Sequence, residues 1–159
     1  MYSKKRLIVI SLIILFALLV TGCLPTTTVT TPEEYFTFDS TTGTITDYDV
    51  AGGLDVFIPS TIGGVAVEHI GIDAFLEKYL TSVIIPNSVT SIGPCSFRGN
   101  LLTSVTIPNS VTHISWETFA YNPLSSITIG ADISIDGDPI TMGTNSGFKT
   151  VYDLSLIHI

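Results

Sequence analysis

The chain has 159 residues with 14 acidic and 6 basic side chains, a formal net charge of −8 at pH 7, and a mean hydropathy of +0.53. All fourteen acids lie after residue 23 with only three of the bases, so that part of the chain carries a net charge of −11. Such an acidic surface is repelled by phosphate backbones and anionic headgroups, which excludes nucleic acid as a partner. Beyond the N-terminal leader, the length suits one domain.

Residues 1–22 have the pattern of a secretory signal peptide. A basic KKR start precedes an apolar run of 14 residues at 7–20, interrupted only by Ser11. This run is short for a membrane span, which needs roughly 20 residues. The segment VTGC, which ends at Cys23, resembles the lipobox of bacterial lipoproteins. That resemblance implies that Cys23 receives a diacylglyceryl thioether and becomes the mature N-terminus. The alternative is an uncleaved signal anchor with an incidental cysteine.

Two short segments separate the leader from the rest of the chain. Residues 23–34 are rich in threonine and lack an apolar period, which predicts an extended tether. Residues 35–53 contain two β-prone runs, YFTF and TITDY, around the turn sequence DSTTG. We predict a hairpin that caps the open N-terminal end of a repeat array, because a bare end exposes apolar side chains and unpaired backbone groups.

A 22-residue unit repeats within residues 54–135. The segments 80–101 and 102–123 agree at thirteen of 22 positions, and a third copy begins at Leu124. A looser copy at the start contains an insertion around Gly63, which predicts a small extra hairpin. Each unit begins with the spacing L-x-x-V-x-I, whose last two apolar residues share one face of a short strand. Self-similarity at this period is typical of a solenoid.

A second set of inward apolar residues follows each strand, at Val89, Ile92 and Phe97 and again 22 residues later. Six buried apolar side chains contribute about 9–18 kcal/mol. Ordering 22 residues costs on the order of 30 kcal/mol. A single unit therefore does not fold alone, and stacking must supply the difference. We also predict that Asn100 and Asn122 form a column whose amides satisfy backbone groups of the turns.

The run LTSVxIPNSVTxI, followed five residues later by phenylalanine, resembles the BspA-type leucine-rich repeat of bacterial surface proteins over residues 54–135. The resemblance implies a mainly β repeat solenoid with one parallel sheet face, short irregular or helical turns opposite, and the N-terminal hairpin as a cap. It also implies surface exposure and, in some members, adhesion to host or matrix proteins or to other bacteria. Gly130 stands where the repeat expects proline and Asp136 where it expects isoleucine, so regular repetition is expected to fade after Ile135.

The remaining residues fall into two parts. Residues 136–153 are interpreted as the start of a C-terminal region that continues in the natural protein. Residues 154–159, LSLIHI, are apolar and unrelated to the repeat, and they resemble the translation of a sequencing-library adapter. The alternative is a genuine short terminal strand. These six residues are therefore excluded from the functional interpretation.

No catalytic residue, metal site or cofactor is predicted from the sequence. His69, His113 and His158 are scattered, and His113 shares its column with Ser91, as is typical of a variable surface position. Serines and threonines recur at repeat positions, where they serve turns and strand pairing. Their spacing does not indicate a Ser-His-Asp set.

Two further groups have competing interpretations. Asp132, Asp136 and Asp138 match only part of a calcium-binding loop, so a solvated turn is favoured. Cys95 lies in a column with two acidic residues, which predicts partial exposure. With Cys23 lipidated, Cys95 is either a free thiol or paired with a cysteine outside this sequence.

The outward strand positions predict a binding surface. They form columns of hydroxyl side chains beside a column that is apolar at its N-terminal end, made of Phe57, Ile84, Thr106 and Thr128. Trp116, the only tryptophan, occupies a variable turn position, and tryptophan is enriched at binding hot spots. These five residues are the candidate binding surface. The competing interpretation packs Phe57 under the extra hairpin and Trp116 on a neighbouring turn.

The sequence favours a lipid-anchored binding or adhesion module for protein or glycan partners, not an enzyme. It would be exported and held at the bacterial cell envelope or cell surface through lipid on Cys23. The alternative is a repeat spacer or targeting module of a larger surface enzyme or effector, whose active domain would lie beyond Asp153.

Overall fold

The structure is a computed structural model that describes residues 30–129 and 133–136. These residues contain short strands and two single-turn 3₁₀ helices, Glu33–Tyr35 and Val50–Gly52. The strands are β1 (Phe36–Asp39), β2 (Thr44–Tyr48), β3 (Asp55–Phe57), β4 (Thr61–Ile62), β5 (Val65–Ala66), β6 (His69–Ile70), β7 (Ser82–Ile84), β8 (Ser91–Ile92), β9 (Ser104–Thr106), β10 (His113–Ile114), β11 (Ser126–Thr128) and β12 (Ser134–Ile135).

The repeat unit forms one coil of a solenoid with three sides. The L-x-x-V-x-I segment supplies the first side, called here the front, with strands β3, β7, β9 and β11. The second side carries β6, β8, β10 and β12. The third side, called the turn side, returns the chain to the next front strand, as at residues 94–101. The predicted solenoid of stacked repeats is confirmed.

The second side of the coil belongs to a six-stranded sheet of order β1-β2-β6-β8-β10-β12. β1 and β2 are antiparallel, whereas β2 runs parallel to β6, with Thr44 opposite His69 and Ile45 opposite Ile70. The predicted N-terminal hairpin is therefore confirmed, and it covers the first edge of this sheet. Because β1 takes the edge position, the backbone of the first coil has a partner strand.

The front strands pair in parallel as two two-stranded sheets, β3–β7 and β9–β11, with matching repeat positions opposite each other. Val56 of β3 lies opposite Val83 of β7, and Val105 of β9 lies opposite Ile127 of β11. The resemblance implied one parallel sheet face with turns opposite, whereas the coils also form a parallel ladder on the second side. This ladder arises because residues such as Ser91–Ile92 lie at the same place in every coil and can exchange backbone hydrogen bonds. The extra hairpin predicted around Gly63 is present as the antiparallel pair β4–β5.

Aromatic rings form a continuous stack through the core. The rings of Phe75, Phe97 and Phe119 stack in register, with centroids 4.9 Å and 5.4 Å apart. Tyr48 of the hairpin lies 5.4 Å from Phe75, and Phe36 lies 5.2 Å from Tyr48. The hairpin therefore continues the phenylalanine column of the repeats and buries its N-terminal end.

The turn side contains several residues in the left-handed backbone region. Asp73, Cys95 and Glu117, which are equivalent in the repeat, have φ of 57°, 52° and 51°. The next such position holds Glu77, Gly99 and Tyr121, with φ of 52°, 69° and 56°. A Cβ on Gly99 would lie 2.8 Å from Glu77 Cγ, so a larger residue here would have to displace the exposed Glu77 side chain.

Two predictions differ from the structure. The tether was expected to reach residue 34, but Thr31 is buried, its amide donates to Phe57 O (2.9 Å), and its hydroxyl accepts from Phe57 N (3.0 Å). The polar backbone edge of β3 binds Thr31, so packing begins there. Cys95 was expected to be partly exposed, yet it is buried at 5% exposure. Coils stack on both sides of it and cover the small thiol.

Several predictions lie outside the described residues. They concern the signal peptide (1–22), lipidation of Cys23, most of the tether, Asp132, Asp138, His158, the region after residue 136 and the adapter-like residues 154–159.

A candidate binding surface on the front strands

The front strands present two parallel rows of outward side chains. The first, called the hydroxyl row, contains Ser82, Ser104 and Ser126, with Asp55 opposite Ser82 at its N-terminal end. The second, called the mixed row, contains the predicted residues Phe57, Ile84, Thr106 and Thr128, with Phe57 opposite Ile84 and Thr106 opposite Thr128. Inward residues between the two rows fill the core, so the alternation of a β-strand holds both rows outward.

Hydrogen bonds fix the N-terminal end of the hydroxyl row. The Asp55 carboxylate accepts from the hydroxyls of Thr81 (2.7 Å) and Ser82 (3.0 Å) in the next coil. These bonds, from Thr81 first and Ser82 second, lower the pKa of Asp55. Asp55 was not among the predicted site residues. The alignment of Val56 with Val83 gave the signal, since it places Asp55 in the column of Ser82.

The mixed row changes in character along the solenoid. Ile84 is 54% exposed, Phe57 is half-buried, and Thr106 and Thr128 are exposed. Asp55 is the one ionisable residue on β3, β7, β9 and β11. The front is thus a nearly uncharged surface on an acidic protein, with an apolar part at one end and hydroxyls at the other.

Trp116 lies apart from the mixed row. It follows the buried Ser115 at the start of the turn side and is 48% exposed. Its repeat equivalent Ile72 is 61% exposed. The structure therefore brings four of the five predicted residues into one row and places the tryptophan on another side of the coil.

The histidines are less scattered than predicted, because His69 and His113 share one column of the six-stranded sheet with Ser91 between them. His69 Nδ1 lies 2.7 Å from Ser91 Oγ. His113 Nε2 lies 3.1 Å from Asp136 Oδ2 and 3.4 Å from Ser115 Oγ. A Ser-His-Asp relay needs the serine and the carboxylate on opposite ring nitrogens, whereas both contact the same nitrogen here.

Two other kinds of feature, a metal site and a membrane-spanning helix, are absent from the described part of the chain. Residues 30–129 and 133–136 bring no three His, Cys, Asp or Glu side chains together in an arrangement able to hold a metal ion. Over the same residues, no helix is both long and apolar enough to cross a membrane.

The repeats match a known family of protein repeats. Residues 68–140 match the BspA type leucine rich repeat region in six copies. This part of the chain is therefore a BspA-type leucine-rich repeat region, as the resemblance indicated. Such repeats generally mediate protein interactions, and bacterial proteins that carry them are typically exposed on the cell surface.

A solved structure supports the same fold. The crystal structure of a leucine-rich repeat protein from T. pallidum superposes with a TM-score of 0.51 at 21% sequence identity. The similarity covers 70% of this chain and 65% of that chain, and at this identity it concerns the fold alone. No curated protein sequence matches this chain significantly.

Proposed function

We propose that this protein is a lipid-anchored, non-enzymatic module of the bacterial cell surface that binds a protein or glycan partner through its front strands. The observation that carries the proposal is the mixed row, in which the exposed Ile84, Thr106 and Thr128 follow the half-buried Phe57. Exposed apolar side chains on an extended solenoid face are typical of interaction surfaces. The repeat family supports a binding role over an enzymatic one.

The envelope location depends on the N-terminal sequence. A basic start, a 14-residue apolar run and the VTGC motif support cleavage before Cys23 and lipid attachment to its sulfur. Expression in a bacterium with a labelled fatty acid tests this. The wild-type protein is expected in the membrane fraction with label, and Cys23→Ser without label. Equal labelling of the two proteins would refute lipidation at this residue.

Binding through the front is tested with a soluble fragment, residues 26–153, screened against immobilised matrix proteins and neutral glycans. For any partner retained, Phe57→Ser, Ile84→Ser and Thr106→Lys are expected to weaken binding at least about tenfold, the equivalent of 1.4 kcal/mol. Thr112→Lys, at an exposed threonine directly before β10, is the control on another side of the coil and should bind normally. Trp116→Ala shows whether the turn side contributes. Normal binding by all three front variants would show that the front strands do not form the binding surface.

A further inference from the structure

A groove of about 630 Å³ opens between the N-terminal hairpin and the turn side of the first coil. The hairpin side contributes Tyr35, Asp47 and Val50, and the first coil contributes Glu77, Lys78 and Tyr79. We call it the cap groove. It lies on a different part of the coil from the hydroxyl and mixed rows, so it forms a second candidate surface.

Large apolar side chains stand exposed along the cap groove. Tyr79 is 65% exposed and Val50 is 46% exposed. Tyr79 also has a left-handed backbone with φ of 60°, a conformation that non-glycine residues adopt uncommonly. Leu101, one coil further at the same repeat position, is 48% exposed and lies outside the lining of the groove. Neighbouring exposed apolar residues of this kind mark interaction sites.

The negative charge of the cap groove favours a cationic partner. Its lining holds four carboxylates, Glu34, Asp47, Asp49 and Glu77, against one base, Lys78. Lys78 Nζ lies 2.9 Å from Asp47 Oδ1, and this hydrogen bond is the main cause that lowers the pKa of Asp47. Three carboxylates therefore remain to attract a cation. Because the described residues include no three metal-ligating side chains gathered at one point, a single metal ion does not suit the groove.

A contact elsewhere in the molecule shows how an aromatic ring and a carboxylate together hold a cationic side chain. The guanidinium of Arg98 lies 4.8 Å from the ring centroid of Tyr121 and 3.2 Å from the Glu117 carboxylate. An arginine between an aromatic face and a carboxylate gains both cation–π and ionic attraction. Tyr79 and Glu77 both line the cap groove and offer an incoming arginine the same two kinds of group.

We propose that the cap groove binds a basic segment of a protein partner, with arginine side chains between Tyr79 and Glu77 and an apolar side chain on Val50. This interaction does not depend on the front strands. The front can therefore fail as a binding surface while the groove binds, and the reverse also holds.

Fluorescence anisotropy of the full-length chain in neutral detergent tests the proposal, with a labelled Arg-Leu-Arg-Leu-Arg peptide as the probe and Glu-Leu-Glu-Leu-Glu as its charge-reversed counterpart. The arginine peptide is expected to bind, with affinity falling as salt rises, and the glutamate peptide is not. Glu77→Gln and Tyr79→Ala should each weaken binding at least about fivefold. Asp73→Asn and Trp116→Ala, exposed turn-side residues outside the groove, are the matched controls and should bind as the wild type does.

Three results would overturn the proposal. The first is equal binding of the two peptides. The second is an unchanged affinity in Tyr79→Ala together with a loss in Asp73→Asn, because that pattern reports only the overall negative charge. The third is wild-type affinity in both groove variants. Since Glu77 and Tyr79 are exposed, both variants are expected to keep the wild-type circular dichroism spectrum.

Discussion

The side-chain amides of Asn100 and Asn122 form hydrogen bonds with buried backbone groups inside the coil. Asn100 Nδ2 donates to Phe75 O (2.7 Å) and Phe97 O (2.9 Å), while its Oδ1 accepts from Leu80 N (3.0 Å). Asn122 repeats the pattern one coil later, donating to Phe97 O (2.8 Å) and accepting from Leu102 N (3.1 Å). Each amide therefore ties two coils together and satisfies buried backbone groups, as the repeat predicted.

Removal of one such amide gives the first prediction. Asn100→Ala leaves buried donors and acceptors unpaired at about 1–3 kcal/mol each, so the unfolding free energy should fall by at least about 3 kcal/mol. Urea denaturation of residues 26–153 measures this. Asn109→Ala, an exposed turn asparagine, is the control and should change it by less than about 0.5 kcal/mol. Similar losses in the two variants would contradict the buried role of Asn100.

The left-handed backbone of these turn residues is hard to predict from residue type alone. Only Gly99 carries the usual sequence signal for positive φ, because its equivalents are Glu77 and Tyr121. Hydrogen bonds between coils hold this backbone, such as Phe97 N to Thr118 O at 2.9 Å and Gly99 N to Ala120 O at 2.9 Å. The stacking of coils therefore imposes a conformation that local residue preferences would not choose.

Among the elements, β3 is held to the next coil by a carboxylate. Thr81 and Ser82 donate more strongly to Asp55 when it is ionised, so its pKa is lower in the folded protein than in the unfolded chain. Its stabilising effect is therefore complete above about pH 4 and is lost as the pH falls through the lowered pKa.

The pH dependence of stability tests this role of Asp55. Between about pH 5 and pH 2, the urea midpoint of the wild type should fall more steeply than that of Asp55→Asn. Asp73→Asn serves as the control, because no hydrogen bond to its side chain occurs among the described residues, and its midpoint should follow the wild-type curve. Parallel curves for the wild type and Asp55→Asn would show that these hydroxyls do not stabilise the ionised form.

The sequence predicted the front strands, the N-terminal hairpin and the extra hairpin, because alternation and turn residues are local signals. The ladder on the second side was not predicted. Strands such as β8 are two residues long, too short for a period, and they form only because equivalent residues stack. The mixed row was predictable because strand alternation recurs in every repeat. The cap groove was not, since it joins Tyr79 to residues 29–45 positions earlier.

At the scale of the molecule, repetition converts sequence positions into surfaces. Positions 22 residues apart become neighbours on adjacent strands, so each outward position becomes a row and each inward position a column of the core. The hairpin and Thr31 cover the N-terminal strands on two sides of the coil. The front and the cap groove remain as distinct surfaces, one nearly uncharged and one acidic.

In-register stacking of the front strands is tested most directly by disulfide cross-linking in residues 26–153 with Cys95→Ser. Ser104 lies opposite Ser126, so Ser104→Cys with Ser126→Cys should oxidise readily, because paired positions fall within the roughly 4.4–6.8 Å Cα separation that a disulfide needs. Ser104→Cys with Thr128→Cys, shifted along the strand, should stay reduced. Equal cross-linking of both pairs, or of neither, would contradict the stacked rows on which both proposed surfaces depend.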